Sequence, residues 1–169
     1  MNSIERREDI LRQLIESSKP LKGTTLANNY NVTRQIIVKD IAILRAAGKN
    51  IIATPEGYIV ARNNDRIKKI IAVTHNDTRM IEELNIIVKY GGIVEDVIVE
   101  HPLYGEIKGL LMIKNLNDLE KFERRYENNE AKLLSLLTNG VHIHTISTDT
   151  QENMDLILNE LKEKKFIIE

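Results

Sequence analysis

The sequence predicts an α+β protein, with an N-terminal winged helix-turn-helix followed by a ferredoxin-like α/β sandwich domain. Apolar residues recur with a helical period as far as Gly48, and a short hairpin pattern follows. From residue 67 onward, short apolar strands alternate with amphipathic helices. A chain of 169 residues suits two compact domains. We place the boundary in the polar stretch at residues 62–65, which gives domains 1–62 and 63–169.

Composition restricts the class of protein. The chain is 42% hydrophobic and 29% charged, which is typical of a soluble globular protein. No apolar run approaches the roughly 20 residues needed to span a bilayer, and the N-terminus lacks the apolar region of a signal peptide. The absence of cysteine excludes disulfides, thiolate metal sites and cysteine catalysis. We therefore expect a cytoplasmic protein.

Charge is distributed unevenly between the two predicted domains. Residues 1–62 carry 10 Lys and Arg against 6 Asp and Glu, whereas residues 63–169 carry 14 against 19. A basic N-terminal part on an acidic remainder fits contact with phosphates at one end of the molecule.

Two helices are predicted before residue 30. The first begins after Ser3 as N-cap and ends near Ser17, with an apolar face formed by Ile10, Leu11, Leu14 and Ile15. A loop containing Pro20 and Gly23 follows. The second helix is short and extends from Thr24 or Thr25 to Asn29.

The third helix is the element around which the N-terminal domain is organised. Thr33 is its predicted N-cap and Gly48 its C′ residue. A buried stripe recurs at Ile37, Ile41 and Leu44. Near its start, three side chains lie off that stripe, where a recognition helix presents groups to bases and phosphates: Arg34, Gln35 and Lys39. An ordinary amphipathic helix with a charged outer face would show the same pattern.

A hairpin is predicted directly after this helix. Short strand-like runs at 51–53 and 58–60 flank the turn sequence Thr54-Pro55-Glu56-Gly57. A hairpin that follows three helices corresponds to the wing of a winged helix, although a stray hairpin is the alternative. As a wing it would bring Thr54 and Tyr58 to the DNA backbone or the minor groove.

The second domain is predicted to have the order β-α-β-β-α-β with a helix appended. Asp77 or Thr78 caps its first helix, and Asn117 caps a long helix from about Asp118 to Leu137. The remaining elements are strands at 67–75, 93–100, 107–113 and 141–146, a helix at 150–164 and an added edge strand at 166–168. This order is that of a ferredoxin-like, two-layer sandwich.

All four histidines lie in this second domain. His142 and His144 are two apart in a strand, so both point to one face of the sheet. His75 ends the first strand, and Glu83 lies about two helical turns further on, where its carboxylate can turn back toward that strand. Three imidazoles and one carboxylate suit zinc, nickel or iron better than magnesium or calcium. A polar outer sheet face is the alternative explanation of the His-x-His pair.

No constellation of residues distinguishes an enzyme. The glutamates at 83, 100 and 106 resemble ordinary surface acids, and there is no Walker loop and no Rossmann fingerprint. The stretch His101-Pro102-Leu103-Tyr104-Gly105 is either a tight turn or a loop that offers an imidazole and a phenol to a ligand.

Taken together, these motifs resemble a known family. Residues 34–48 and 52–58 resemble the winged helix of niacin-responsive transcriptional repressors. The segments containing Thr74-His75, Glu100-His101-Pro-Leu-Tyr-Gly105 and Gly140-Val-His142-Ile-His144 resemble that family's "three-histidine" regulatory domain. The resemblance covers nearly the whole chain in one order, which makes it more specific than any single motif.

The resemblance implies a function and a set of sites. It implies a repressor of genes for niacin uptake and NAD biosynthesis, with nicotinic acid as co-repressor. It implies that a divalent metal is bound by His75, Glu83, His142 and His144. From the residue types of the 101–105 loop, we expect effector contacts from His101, Tyr104 and Gly105. We expect a homodimer that binds double-stranded DNA at an inverted repeat. The alternatives are a regulator whose effector is the metal ion itself, a metalloenzyme fused to a DNA-binding module, and a purely structural metal.

Overall fold

The computed structural model describes residues 2–61, 66–129 and 132–168. The chain divides into two compact units, Met1–Asn64 and Asp65–Glu169. The polar stretch at 62–65, where we predict the junction, lies outside the described residues. Within the described residues, no helix is long and apolar enough to cross a membrane.

The first unit contains three helices followed by a two-stranded hairpin, as predicted. Its elements are α1 (Ser3–Glu16), α2 (Gly23–Asn29), α3 (Arg34–Ala46), β1 (Ile51–Thr54) and β2 (Gly57–Val60). All three helices and β1 contribute to one apolar core, formed by Ile10, Leu14, Leu26, Ala27, Ile37, Ile41, Leu44 and Ile51. The predicted buried stripe of α3 is therefore confirmed.

The N-cap of α1 is Asn2, so the prediction of Ser3 is wrong. Asn2 Oδ1 accepts the backbone N–H groups of Ile4 and Glu5 at 2.9 Å, and Glu5 Oε2 accepts the N–H of Asn2 at 2.9 Å. This reciprocal capping box needs a glutamate three residues after the cap, and only Asn2 has one. Ile15, predicted on the apolar face, is 54% exposed.

The predicted limits of α3 are confirmed. The Thr33 side chain accepts the backbone N–H of Ile36 at 3.4 Å, and Gly48 has φ +80° just past the end of the helix. Asp40, which the sequence presents as one more polar residue of this helix, is instead only 2% exposed. It lies three residues after Ile37, on the buried side of the helix.

Two arginines of α1 compensate the buried charge of Asp40. Arg6 Nε lies 2.7 Å from Asp40 Oδ2, and an Arg7 guanidinium nitrogen lies 3.4 Å from Oδ1. A charged side chain with so little exposure requires a partner of opposite charge, since an uncompensated buried charge is costly. The two contacts hold α3 against α1.

The hairpin is attached to the chain that precedes α2. Leu21 and Tyr58 exchange backbone hydrogen bonds of 2.8 and 2.9 Å. Gly57 has φ +138°, and a Cβ there would lie 2.4 Å from the Leu21 carbonyl oxygen, so glycine is required at this approach. Thr54 closes the turn, since its hydroxyl donates to the Gly57 carbonyl at 2.9 Å and accepts the Glu56 N–H at 3.2 Å.

The second unit has the predicted order β-α-β-β-α-β followed by a helix. Its elements are β3 (Ile67–Thr74), α4 (Met80–Lys89), β4 (Ile93–His101), β5 (Gly105–Ile113), α5 (Leu116–Asn128), β6 (Val141–Thr148) and α6 (Gln151–Glu163). Short 3-10 helices occupy Asp77–Arg79 and Leu134–Thr138. One apolar core joins the helices to one face of the sheet, which confirms the α+β class.

The four strands form one antiparallel sheet in the order β3-β6-β4-β5. The two strands of each β-α-β unit are separated by one strand of the other unit, which is the split arrangement of ferredoxin-like domains. The positions of the strands differ, however. In ferredoxin-like sheets the first and third strands of the domain are central, whereas here β4 and β6 are central and β3 and β5 are the edges.

Three details of the second unit correct the predictions. The cap of α5 is Asn115 rather than Asn117, because the Asn115 side chain accepts the Asp118 N–H at 2.9 Å. The helix ends at Asn128 rather than at residue 137, and residues 134–138 form a separate 3-10 helix. Residues 130 and 131 lie outside the described residues. Asp77 and Thr78 lie in the 3-10 turn before α4, whose N-cap is Arg79.

The predicted edge strand at 166–168 is present only as an isolated bridge between Val73 and Ile167. The Thr74 N–H donates to the Phe166 carbonyl and the Ile168 N–H to the Ala72 carbonyl, both at 3.0 Å. The segment therefore pairs with the end of β3 that leads to His75.

Candidate metal centre and DNA-binding surface

Strand β6 brings His142 and His144 to the same, helix-covered face of the sheet. They are 4% and 3% exposed, and they pair across the sheet with Val73 and Ile71 of β3, both buried in the core. The prediction that the two imidazoles share a face is confirmed. The alternative of a polar outer face is wrong, since these side chains point into the protein.

Helix α4 places Glu83 opposite this pair, and the end of β3 places His75 beside it. His75 Nε2 lies 2.6 Å from Glu83 Oε2, and these side chains are 2% and 1% exposed. The approach depends on Gly140, which precedes β6: a Cβ there would lie 2.4 Å from the His75 carbonyl oxygen. A glycine at this position therefore allows the start of β6 to pack against the end of β3.

Glu83 is the centre of the cluster. Its Oε2 also lies 3.5 Å from His142 Nε2, and its Oε1 lies 3.4 Å from His144 Nε2. The three Nε2 atoms therefore face one carboxylate, and the ligand atoms of His75, Glu83 and His142 all lie within 4.8 Å of one another. His144 approaches the same carboxylate through its other oxygen.

Backbone carbonyls fix the orientation of each imidazole. The Nδ1 atoms of His75, His142 and His144 lie 2.6, 2.9 and 2.5 Å from the carbonyl oxygens of Asn76, Gly140 and Asp96, respectively. An Nδ1–H that donates to a carbonyl leaves the lone pair of a neutral imidazole on Nε2. Metal-binding histidines are oriented by this type of outer hydrogen bond.

The electrostatics favour positive charge at the centre of the cluster. Burial alone would raise the pKa of Glu83, but the neighbouring His144, His142 and His75 hold that pKa well below its usual range. Burial likewise opposes the charged forms of His75 and His144, yet contact with Glu83 raises the pKa of both. The carboxylate is therefore ionised in a buried site and requires cationic partners.

These residues fit a divalent cation. Among the described residues, Glu83 Oε1 is the buried side-chain oxygen that no well-formed hydrogen bond satisfies, since its contact with His144 Nε2 is long, at 3.4 Å. This oxygen is therefore available to a cation. Imidazole nitrogens and a carboxylate oxygen are ligands of zinc and of first-row transition metals. A bound ion would supply the positive charge that the ionised carboxylate requires.

A small apolar cavity of about 40 Å³ adjoins the cluster. His75, Glu83, His142 and His144 form its polar end, and the remaining walls are mainly apolar: Met80, Leu84, Val97, Leu111, Phe122, Leu133, Leu134 and Ser135. This lining of apolar walls with a few convergent polar groups is of the type found in small-molecule sites, but the volume is far below the roughly 300 Å³ at which such sites begin. The sequence pattern does not reveal these walls, because they come from segments far apart in the chain.

The predicted effector residues lie at the tip of the β4–β5 hairpin and do not line this cavity. His101 Nδ1 accepts the N–H groups of Leu103 and Tyr104 at 3.1 and 3.3 Å, and its ring centroid lies 5.1 Å from that of Tyr104. Tyr104 is 73% exposed, and Gly105 has φ +69°. Since β4 is antiparallel to β6, the tip lies at the end of the sheet where β6 begins.

The predicted DNA-contact residues of α3 are accessible. Arg34, Gln35 and Lys39 are all exposed. Three other predicted contacts have structural roles as well. Thr33 caps α3, the Thr54 hydroxyl closes the hairpin turn, and Tyr58 packs against the core of the unit.

Comparison with known proteins agrees with the division of the chain into two units. Residues 6–59 match an HTH domain and residues 68–169 match the 3H domain. The chain is 43% identical to the probable transcription repressor NiaR of Thermotoga maritima, over 98% of this chain and 94% of that protein. It is 37% identical to the transcription repressor NadR of Bacillus subtilis, over 96% and 93% of the two chains.

A more distant relative is an uncharacterised protein of Methanothermus fervidus, which is 28% identical over 77% of this chain and 22% of that protein. The two closer similarities span both units, and both named relatives are repressors. The chain therefore belongs to the family of niacin-responsive transcription repressors, DNA-binding regulators rather than enzymes.

Proposed function

We propose that this repressor controls genes for niacin uptake and NAD biosynthesis, with nicotinic acid as co-repressor and a divalent metal in the regulatory domain. One observation carries the proposal: three imidazoles converge on the ionised, buried carboxylate of Glu83 beside an apolar cavity. In a family of niacin-responsive repressors, this arrangement supports a cation site beside apolar walls that would separate to admit a small ring. The division at residues 62 and 63 and the cytoplasmic location belong to the same proposal.

The metal would be held by His75, Glu83, His142 and His144. Zinc, nickel and iron are the candidates, because each accepts imidazole and carboxylate ligands. Bound metal supplies positive charge to which an acidic effector is attracted. The carbonyl contacts of the three Nδ1 atoms orient the imidazoles before the ion arrives.

Nicotinic acid combines a carboxylate with a flat pyridine ring, and the site offers a partner for each. The carboxylate would be attracted to the metal and the ring to the apolar walls of the cavity. About 40 Å³ accommodates no more than a few water molecules. Entry of the ring would therefore require Phe122, Leu133 and Leu134 to move apart.

The hairpin tip remains a second proposed contact for the effector. His101, Tyr104 and Gly105 lie at the end of the sheet where β6 and the metal cluster begin. The exposed phenol of Tyr104, with the His101 imidazole tilted beside it, would contact an aromatic acid from outside the cavity.

For DNA, we propose that α3 enters the major groove. Arg34 and Gln35 would face the bases and Lys39 the phosphates, while the hairpin from Thr54 to Tyr58 contacts the backbone or the minor groove. A homodimer would read an inverted repeat whose half-sites are separated by whole turns of roughly 10 bp. The effector can act only if its free energy of binding differs between DNA-competent and incompetent states.

A metal-responsive regulator is the second candidate, because the cluster itself could sense an ion. Calorimetric titration of nicotinic acid into the metal-loaded, full-length protein separates the two, with nicotinamide as the matched ligand that lacks the carboxylate. We expect micromolar binding of the acid and at least about tenfold weaker binding of the amide, since a buried charge contact is lost. Absence of heat from both compounds, with bound metal confirmed, would favour the metal-responsive regulator.

A further inference from the structure

Helix α3 carries a second stripe that DNA contact by Arg34, Gln35 and Lys39 does not fully explain. The buried stripe consists of positions 37, 40, 41 and 44. An exposed stripe with the same spacing lies on the opposite side of the helix and consists of Gln35, Val38, Lys39 and Ala42. Two of its four members are apolar, and Val38 is 42% exposed.

The exposed stripe combines polar and apolar side chains on the side of α3 that is proposed to face DNA. A surface that contacted only phosphates would need cations and hydrogen-bond donors, and Val38 and Ala42 offer neither. In the major groove, the apolar feature of a base pair is the C5-methyl group of thymine. The amide of Gln35 matches the complementary polar feature, since glutamine pairs with the N6 and N7 atoms of adenine.

The spacing along the helix agrees with reading of neighbouring base pairs. Val38 is three residues from Gln35, a rise of about 4.5 Å. Successive base pairs are separated by roughly 3.4 Å. Because a recognition helix lies inclined to the DNA axis, a separation of about 4.5 Å along the helix corresponds to about one base-pair step.

We propose that Val38 contacts the methyl group of a thymine in each half-site, beside an adenine bound by Gln35, with Ala42 extending the apolar contact. The repressor would thus select consecutive A·T pairs under the exposed stripe of α3. The proposal rests on the placement of α3 in the major groove given under Proposed function.

Uracil tests the contact, because it pairs as thymine does but lacks the C5-methyl group. Metal-loaded, full-length protein with nicotinic acid is first used to select a duplex from a library with a randomised centre. Each thymine of the selected duplex is then replaced by deoxyuridine, symmetrically in both half-sites, and affinity is measured by fluorescence anisotropy.

At one position, we expect the substitution to weaken wild-type binding about fourfold for each buried methyl group, or roughly 15-fold for two half-sites. Val38→Ala should bind the thymine duplex more weakly and lose most of this difference. Val38→Thr keeps the branched shape with a hydroxyl in place of one methyl group, and should lose part of it.

Two variants serve as controls. Lys39→Ala should weaken binding to the thymine and uracil duplexes equally, because a phosphate contact does not depend on the base. Ile43→Ala, on the flank of the same helix at 39% exposure, should leave both affinities unchanged.

Different results would contradict the placement of α3 and the thymine contact. Failure to enrich any sequence would overturn the proposed placement of α3, and this inference with it. A selected duplex that tolerates uracil at every position, or a Val38→Ala variant with full wild-type sensitivity to uracil, would overturn the thymine contact alone.

Discussion

Replacing both His142 and His144 by alanine is expected to abolish stoichiometric metal binding. The two imidazoles supply half of the proposed ligands, and both approach Glu83 from one strand face. Loss of a single outer hydrogen-bond partner typically weakens metal binding 10- to 100-fold, and the loss of two ligands should exceed roughly 100-fold. After dialysis against metal-free buffer, elemental analysis should find about one ion per wild-type chain and far less in the variant.

The fourth histidine provides the matched control. His101 lies on the hairpin tip, outside the cluster, so His101→Ala should retain wild-type metal content. Glu83→Gln keeps the volume of the side chain but removes its charge, and should also lose metal while preserving the circular dichroism spectrum. Full occupancy of a folded His142→Ala/His144→Ala variant would show that the ion binds elsewhere.

Replacing Asp40 by alanine is expected to have the largest effect on the DNA-binding unit. Asp40 is 3% exposed at its side chain, whereas Arg6 and Arg7 are 13% and 20% exposed. Removing one partner of a buried ion pair costs about 3–5 kcal/mol, because the other charge is left uncompensated. Since the arginines retain some contact with solvent, we expect a smaller loss of about 2–3 kcal/mol in the free energy of unfolding of this unit.

Hydrogen exchange of the full-length protein measures this loss without assuming that the two units unfold together. Amides of α1 and α3 should exchange faster in Asp40→Ala, whereas those of the regulatory domain should not change. Glu8→Ala, which removes an exposed acid from α1, is the control. Wild-type protection of α1 and α3 in Asp40→Ala would mean that the ion pair does not hold the recognition helix in place.

Local periodicity explains why so much of the fold could be predicted. The spacing of Ile37, Ile41 and Leu44 defined the buried side of α3, and two-residue alternation placed His142 and His144 on one face of β6. Both inferences depend on a single element. The ambiguities also remained local: Asn2 and Ser3 both suit an N-cap, and the completed capping box decides between them.

Long-range pairing explains what could not be predicted. The order β3-β6-β4-β5 depends on which strands meet in three dimensions, and strand periodicity does not contain that information. The ion pairs of Asp40 were not predicted, because Arg6 and Arg7 lie more than 30 residues earlier in the chain. The apolar walls provided by Phe122, Leu133 and Leu134 were missed for the same reason.

The central claim is that nicotinic acid increases the affinity of the metal-loaded repressor for its operator. Fluorescence anisotropy of an operator duplex, titrated with full-length protein in the presence and absence of nicotinic acid, tests it directly. Coupling free energies between two sites are typically 1–3 kcal/mol, so we expect an increase in affinity of about 5- to 150-fold with the acid and none with nicotinamide. Equal affinity with and without nicotinic acid, while removal of metal alone weakens binding, would contradict the claim and identify the ion as the signal.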